Sequence, residues 1–329
     1  MIGKTTAGKT TTGRTIIRKI RTEGGNALAS ATVRPAEVHE NSLEVVAACN
    51  VCGSDRIQKV DPEFNFCRCD SCGHLFDSPR PSIAQVARFY SQAGKYDSWL
   101  QQEHARDLLW KRRLRKLLTH RAPGSLLDIG AGIGQFLHHA KPLFVEVAGT
   151  ELSSSAVMIA RKKYGLDLLA GQVEELNLPP RSFDNITLFH VLEHVPDPLR
   201  LVGLCRELLR PRGVLFIAVP NDVLAWSSAV KKAGKRFGLK PFYKFSPMLG
   251  IARAGASREI HLSHFTPVVL RQLLERSGLA VVDESLDPYY VSSGVRRIVD
   301  NAYYSLHRML HRALKVNRYE TIWMVARKP

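Results

Sequence analysis

Between residues 124 and 220 the chain repeats one rhythm. A short unbroken apolar run is followed by glycine or polar residues, then by a stretch with apolar positions three and four apart. Unbroken runs read as strands buried on both faces, and the wider spacing reads as amphipathic helix. The runs place strands near 124–129, 143–150, 165–169, 184–189 and 213–219, with two more near 279–285 and 319–326. Helices fall between them, as at Gln135–Lys141. Such alternation predicts an α/β fold, a doubly wound Rossmann-like sheet of seven strands that takes its ligand at the strands' carboxyl ends.

Ahead of residue 124 the pattern changes. Residues 1–42 are rich in Thr, Gly, Lys and Arg and poor in large apolar side chains, which predicts a basic disordered tail. Residues 43–80 hold paired cysteines among short β-like runs. After Pro79-Arg80-Pro81, helical spacing at Ile83–Gln92 and Ser98–Thr119 predicts a helical cap over 81–123. A domain over 124–329 follows, interrupted by a basic insert over 222–258 that holds Phe237, Phe242, Tyr243 and Phe245.

Charge sharpens this division. The net charge of +17 is concentrated in three segments, while the rest of the chain is near neutral. Residues 1–36 carry seven Lys/Arg against one Glu; 222–259 and 288–329 each carry eight against two acids. Patches of this kind attract nucleic acid, lipid headgroups or phosphorylated small molecules. Residues 295–315 alternate Val295, Ile298, Tyr303, Leu306, Leu310 and Leu314 with Arg296, Arg297, Arg308, Arg312 and Lys315. That is a basic amphipathic helix, which packs one face on the domain or lies on a membrane surface. No run of 18 apolar residues occurs, so no spanning segment and a cytoplasmic location are expected, with peripheral membrane contact left open.

The chemistry concentrates at Leu126-Leu127-Asp128-Ile129-Gly130-Ala131-Gly132-Ile133-Gly134, a strand that ends in an acid and turns through alternate glycines. Glycines let the backbone take positive φ and let a ligand come close. The following strand ends in Glu151, placed to accept ribose hydroxyls. A dinucleotide fingerprint needs its third glycine three residues after the second, to admit a pyrophosphate. Here it is two after, and Asp128 would repel phosphate but attract an ammonium group. S-adenosylmethionine meets those needs. Gly3–Thr10 formally satisfy G-x-x-x-x-G-K-T, but lack the buried strand such a phosphate loop requires.

Cys49-x-x-Cys52-Gly53 and Cys69-x-x-Cys72-Gly73 are two knuckles whose spacing lets four thiolates close on one structural zinc ion. Cys67 breaks the knuckle symmetry, and Cys205 stands alone in an apolar helix pattern, as a core residue would.

In family order, LLDIGAGIG, GTELS, SFDNITLFHVLEHVPDP, GVLFIAVPN and HLSHFTP with SGLAVV make residues 85–329 resemble class I S-adenosylmethionine-dependent methyltransferases. The nearest group is the bacterial one with a VLEHV segment, which modifies cell-surface polysaccharide, sugars or quinones. The resemblance implies that the last strand runs antiparallel. It carries cofactor binding to Asp128, Gly130, Gly132, Gly134, Glu151, Leu152, Gln172, Val173 and His190. Gln172 stands where many members have an Asp for the adenine amine. The expected reaction is O-methylation of a small-molecule acceptor: a sugar, a glycolipid precursor or a phenolic hydroxyl, anionic or lipid-linked. The alternatives are an RNA methyltransferase or a non-catalytic cofactor-binding protein.

Candidate catalytic residues follow the fourth strand: His190, Glu193 and His194, with His194 first as general base. His261 is a further candidate. Some relatives hold a divalent ion with E-x-x-E-H and a distant His; here the run is His190-x-x-Glu193-His194, with His261 and His264 as distant partners. Mixed His/Glu ligation suits a transition metal or zinc.

Overall fold

The computed structural model describes residues 43–92, 94–246, 248, 249, 251 and 259–329. The basic tail, the Gly3–Thr10 match and residues 252–258 of the insert lie outside the described residues.

The first elements form a small sheet: β1 (Ile57–Asp61), β2 (Phe66–Cys69) and β3 (Leu75–Asp77), antiparallel in that order. Helices α1 (Ile83–Tyr90), α2 (Asp97–Gln101) and α3 (Glu103–Leu117) follow. Ser82 starts α1 with a capping box: its hydroxyl accepts the Gln85 amide while the Gln85 side chain accepts the Ser82 amide. The single helix expected over Ser98–Thr119 is broken at Gln102, whose φ and ψ of −96° and 18° leave the helical range.

The large sheet begins at β4 (Ser125–Ile129), followed by α4 (Gln135–Ala140), β5 (Glu146–Glu151), α5 (Ser154–Tyr164), β6 (Leu169–Ala170) and β7 (Phe183–Phe189). Then come α6 (Pro198–Leu208), β8 (Leu209–Pro220), α7 (Trp226–Arg236), β9 (Ser263–His264), α8 (Pro267–Arg276), β10 (Ala280–Ser285), α9 (Gly294–Leu314) and β11 (Thr321–Arg327). Its seven strands run in the order β10-β11-β8-β7-β4-β5-β6. Strands β4 to β8 are parallel, and β11 inserts antiparallel between β8 and β10. This is the Rossmann-like α/β fold of seven strands with the last antiparallel.

Two strands are shorter than their apolar runs. Lys141-Pro142-Leu143 form a 3-10 turn that delays β5 to Glu146. Gly165 caps α5 in the left-handed conformation, leaving only Leu169–Ala170 to pair with β5.

Strand alternation builds a core on both faces. Leu215, Ile217 and Val219 of β8 join Leu201, Leu270 and Leu273 of α6 and α8. Val214, Phe216 and Ala218 join Leu114, Phe136 and Trp323 on the other face. The small sheet is not separate from this body. Strand β9, which follows β8 by more than forty residues, pairs antiparallel with β3. Cys49, Cys69 and Phe76 pack in the same apolar cluster as Phe265 and Leu270. No helix among the described residues is long and apolar enough to cross a membrane.

Candidate active site and cysteine centre

At the carboxyl end of β4, Gly130, Gly132 and Gly134 have φ of +73°, +55° and +78°. The Gly130 and Ala131 amides donate to the Thr150 carbonyl of β5, each at 2.9 Å, folding the turn back onto the sheet. A Cβ on Gly130 would meet Val191 at 2.5 Å, and one on Gly132 the Trp99 ring at 3.0 Å. A Cβ on Gly134 would press on Ala160 and Leu166, so this glycine also admits the close approach of α5.

Glu151 binds this turn directly. Its Oε2 accepts the Gly132 amide at 2.7 Å and its Oε1 the Ser153 amide at 2.8 Å. Burial raises its carboxyl, against those donors. Asp128 lies beneath the turn, 3% exposed, and accepts the Thr187 hydroxyl at 2.6 Å. Burial pushes its carboxyl up to about 7, with Thr187 opposing.

A cavity of about 980 Å³ opens above. Gly130, Gly132, Glu151, Leu152, Gln172, Val173, His190 and His194 all line it; Asp128, Gly134, Glu193 and His261 do not. Its remaining wall comes largely from side chains that sequence reasoning did not single out: Tyr90, Tyr96, Trp99 and Arg106 from the helical cap, and Tyr289 after β10. The Arg106 guanidinium sits 3.6 Å from the Trp99 ring centre, and burial lowers its pKa to about 10. Arg106, Trp110 and Arg113 recur four and three residues apart on α3, a spacing that puts them on one helix face and was readable in advance.

His190 ends β7 with φ of +58°, a left-handed conformation that costs a non-glycine residue about 1 kcal/mol or more. Its amide is anchored to the Ala218 carbonyl at 2.8 Å. Arg113 Nη2 donates to His190 Nε2 at 2.7 Å, which leaves the Nδ1 proton facing Glu193 Oε1 at 3.2 Å. Arg113 in turn grips Asp287 by two nitrogens, with both side chains no more than 1% exposed. Arg113 and its charge hold Asp287 well below the usual carboxylate range despite its burial.

His194 Nδ1 donates to the Ile260 carbonyl at 2.5 Å, so Nε2 carries the lone pair. Burial lowers the pKa of this imidazole, against the pull of Glu193. Nε2 lies 3.8 Å from Glu193 Oε1, and neither Glu193 oxygen makes a hydrogen bond among the described residues. Two acceptors therefore face each other in a buried space. Glu193, His194 and His261 bring ligand atoms within 4.8 Å of one another. A second group, Asp222, His261 and His264, does the same. Asp222 Oδ2 lies 3.0 Å from His261 Nδ1 and 3.4 Å from His264 Nδ1, while His264 Nε2 reaches Asp77 at 3.1 Å. Although burial opposes it, these carboxylates hold His264 protonated up to about 9.

The four knuckle cysteines converge. Cys49 and Cys72 Sγ are 3.6 Å apart, Cys52 and Cys69 3.5 Å, and all four lie within 4.8 Å. A tetrahedron with bonds of about 2.3 Å has edges of about 3.8 Å, so the set fits zinc. Burial opposes ionisation of Cys69, yet the Cys72 and Ser71 amides bring its thiol down to about 7. His74 Nδ1 lies 3.7 Å from Cys49 Sγ. Cys67 points away, with its Sγ at 3.8 Å from the Ser78 carbonyl, and Cys205 is buried in α6.

Residues 102–284 match the family described as Methyltransferase domain. Over 106 residues the chain is 36% identical to the ubiquinone biosynthesis O-methyltransferase of Xanthomonas campestris pv. campestris (strain B100), covering 30% of this chain and 44% of that protein. Over 184 residues it is 28% identical to a probable S-adenosylmethionine-dependent methyltransferase of Mycolicibacterium smegmatis, covering 54% and 62%. The chain thus spans about half the length of these curated relatives. A solved Thermotoga maritima structure, described as a possible histamine N-methyltransferase, superposes with a TM-score of 0.48 at 20% identity, covering 74% of this chain and 100% of that one. The matched segment contains the glycine turn, Glu151 and the His190–His194 run, and the chain belongs to the methyltransferase domain family.

Proposed function

We propose that this enzyme transfers the methyl group of S-adenosylmethionine to a hydroxyl of a small-molecule acceptor: a sugar, a glycolipid precursor or a phenol. One observation carries the reading: the glycine turn, Glu151 and His194 all face a single cavity. Gly130 and Gly132 offer close backbone approach, Glu151 accepts ribose hydroxyls, and Gln172 and Val173 flank the adenine. Asp128 supplies negative field beneath the turn. The bound donor contributes an activated methyl carbon, and the chain's task is to hold a nucleophile near it and remove a proton. His194 Nε2, with its lone pair set by the Ile260 carbonyl, takes that proton. His190 and Glu193 position it, and His261 backs it from a ring distance of 5.1 Å.

The facing acceptors of His194 and Glu193 favour a second reading of the same residues, a divalent ion held with His261. Metal analysis with the cysteine centre intact separates the two: a second ion per chain that is lost in Glu193→Gln supports the ion, and a single ion per chain that persists in that variant supports the base. We also propose that Cys49, Cys52, Cys69 and Cys72 hold one structural zinc that fixes β3 and so β9 to the domain.

The test offers purified protein labelled donor with sugar nucleotides, phenols and RNA. S-adenosylhomocysteine release with a small hydroxyl compound and not with RNA is expected. Release with RNA alone overturns the small-molecule assignment.

A further inference from the structure

Two helices present their apolar faces outward. In α9, Val295, Ile298, Val299, Ala302, Leu306 and Met309 fall within an arc of about 100°. Val295 is 78% exposed, Ile298 70% and Met309 61%. The face turned to the domain is the polar and aromatic one. His311 Nε2 donates to the Glu284 carbonyl at 3.2 Å, His307 packs 5.8 Å from the Tyr319 ring, and Tyr304 packs 5.3 Å from it. In α7 the same offsets recur at Trp226, Ala229, Val230, Ala233 and Phe237, all exposed. Its inward face is Ser228 and Gly234, small enough for Phe242 to lie directly against the helix.

The two stripes neighbour each other. Ser227 and Tyr303 donate to opposite oxygens of Glu320, at 2.6 and 3.2 Å. Glu320 precedes β11 beside Pro220, the carboxyl end of β8. The parallel strands end on the edge that also holds Gly130 and Glu151, and cavity-lining Tyr289 and Val291 lead into α9. Basic residues border one side of each stripe: Arg308 and Arg312 on α9, Lys232 and Arg236 on α7. Asp300 is the one acid within the two helices.

We infer that α7 and α9 dock the enzyme on the surface of an anionic lipid bilayer, with the cavity edge beside the headgroups. An apolar stripe with a basic border is the arrangement of an interfacial helix. The charge selects the occupant: a second copy meeting this face about a two-fold axis would set basic border against basic border. The inference goes beyond the proposed reaction and is independent of which hydroxyl is methylated.

The test is cosedimentation of the full chain with phosphatidylcholine vesicles, with and without phosphatidylglycerol. Binding to the anionic vesicles is expected, falling with salt. Val230→Glu and Ile298→Glu should each lower the partition coefficient by about tenfold or more, removing apolar insertion and adding repulsion. Replacing Arg308 and Arg312 with Gln should lower it by about 30-fold. The substituted side chains are exposed, so thermal midpoint and S-adenosylhomocysteine binding should stay unchanged, which separates failure of docking from failure of the methyltransferase reading. Three results overturn the inference: no binding to anionic vesicles at low salt, binding that survives Ile298→Glu (so that the N-terminal basic residues carry it), or a dimer that Ile298→Glu dissolves.

Discussion

Asp287→Asn is the most exacting perturbation of the scaffold behind the cavity. Arg113 and Asp287 are 1% and 0% exposed, and the carboxylate meets two guanidinium nitrogens, Nε at 2.9 Å and Nη2 closer still. The amide removes the countercharge but leaves Arg113 buried. Breaking one side of such a pair costs about 3–5 kcal/mol, which lowers the thermal midpoint on the order of 10 °C. Arg113 also donates to His190, so the loss should loosen His190 and weaken cofactor binding. Urea unfolding provides the assay, with a lower midpoint at an unchanged slope as the expected signature. A double variant, Arg113→Met with Asp287→Leu, should be more stable than Asp287→Asn because neither charge is stranded. A loss below about 1 kcal/mol for Asp287→Asn, or additive losses in the double variant, would refute the reasoning.

His194→Asn should lower turnover by about 10²–10⁴-fold while leaving S-adenosylhomocysteine affinity intact. Because burial lowers the His194 pKa, wild-type activity should be present at neutral pH and fall with acid, with a midpoint below the ordinary 6.5. Asp128→Asn should act with opposite signs on stability and binding. The folded carboxyl holds its proton up to about 7, so stability present at low pH is lost as pH rises toward that value. The neutral amide escapes this loss, worth at most about 4 kcal/mol at pH 8, yet should bind the cationic cofactor more weakly; melting at pH 5 and 8, with and without cofactor, reads both. Elemental analysis should find one zinc per chain, and Cys52→Ser or prolonged chelation should lower the melting temperature of the whole body, because the cysteine sheet shares its core with α8.

The sheet was legible because β4, β7 and β8 each hold a short, dense apolar stretch closed by glycine or polar residues, too short for a helix and buried on both faces. The glycine turn was legible for a related reason: alternate glycines at a strand end spell a backbone with positive φ, as Gly130, Gly132 and Gly134 have. Local signals failed where geometry depended on distant partners. Arg113 and Asp287 are 174 positions apart, and nothing near either residue names the other. Strand β9 is two residues long and has no periodicity, so its pairing with β3 could not be read. Glycine spacing did not reveal that the missing Cβ of Gly134 also makes room for Ala160. In α9 the amphipathic pattern identified two faces but not their directions; the His and Tyr side turned inward because it finds hydrogen-bond and aromatic partners there.

Whether the glycine turn and Glu151 hold the methyl donor is decided by calorimetric titration with S-adenosylhomocysteine. Saturable binding of one molecule per chain is expected, weakened at least about tenfold by Glu151→Ala if that carboxylate accepts the ribose hydroxyls as proposed. A well-folded protein that takes up no S-adenosylhomocysteine, or binds it equally well without Glu151, would contradict that assignment.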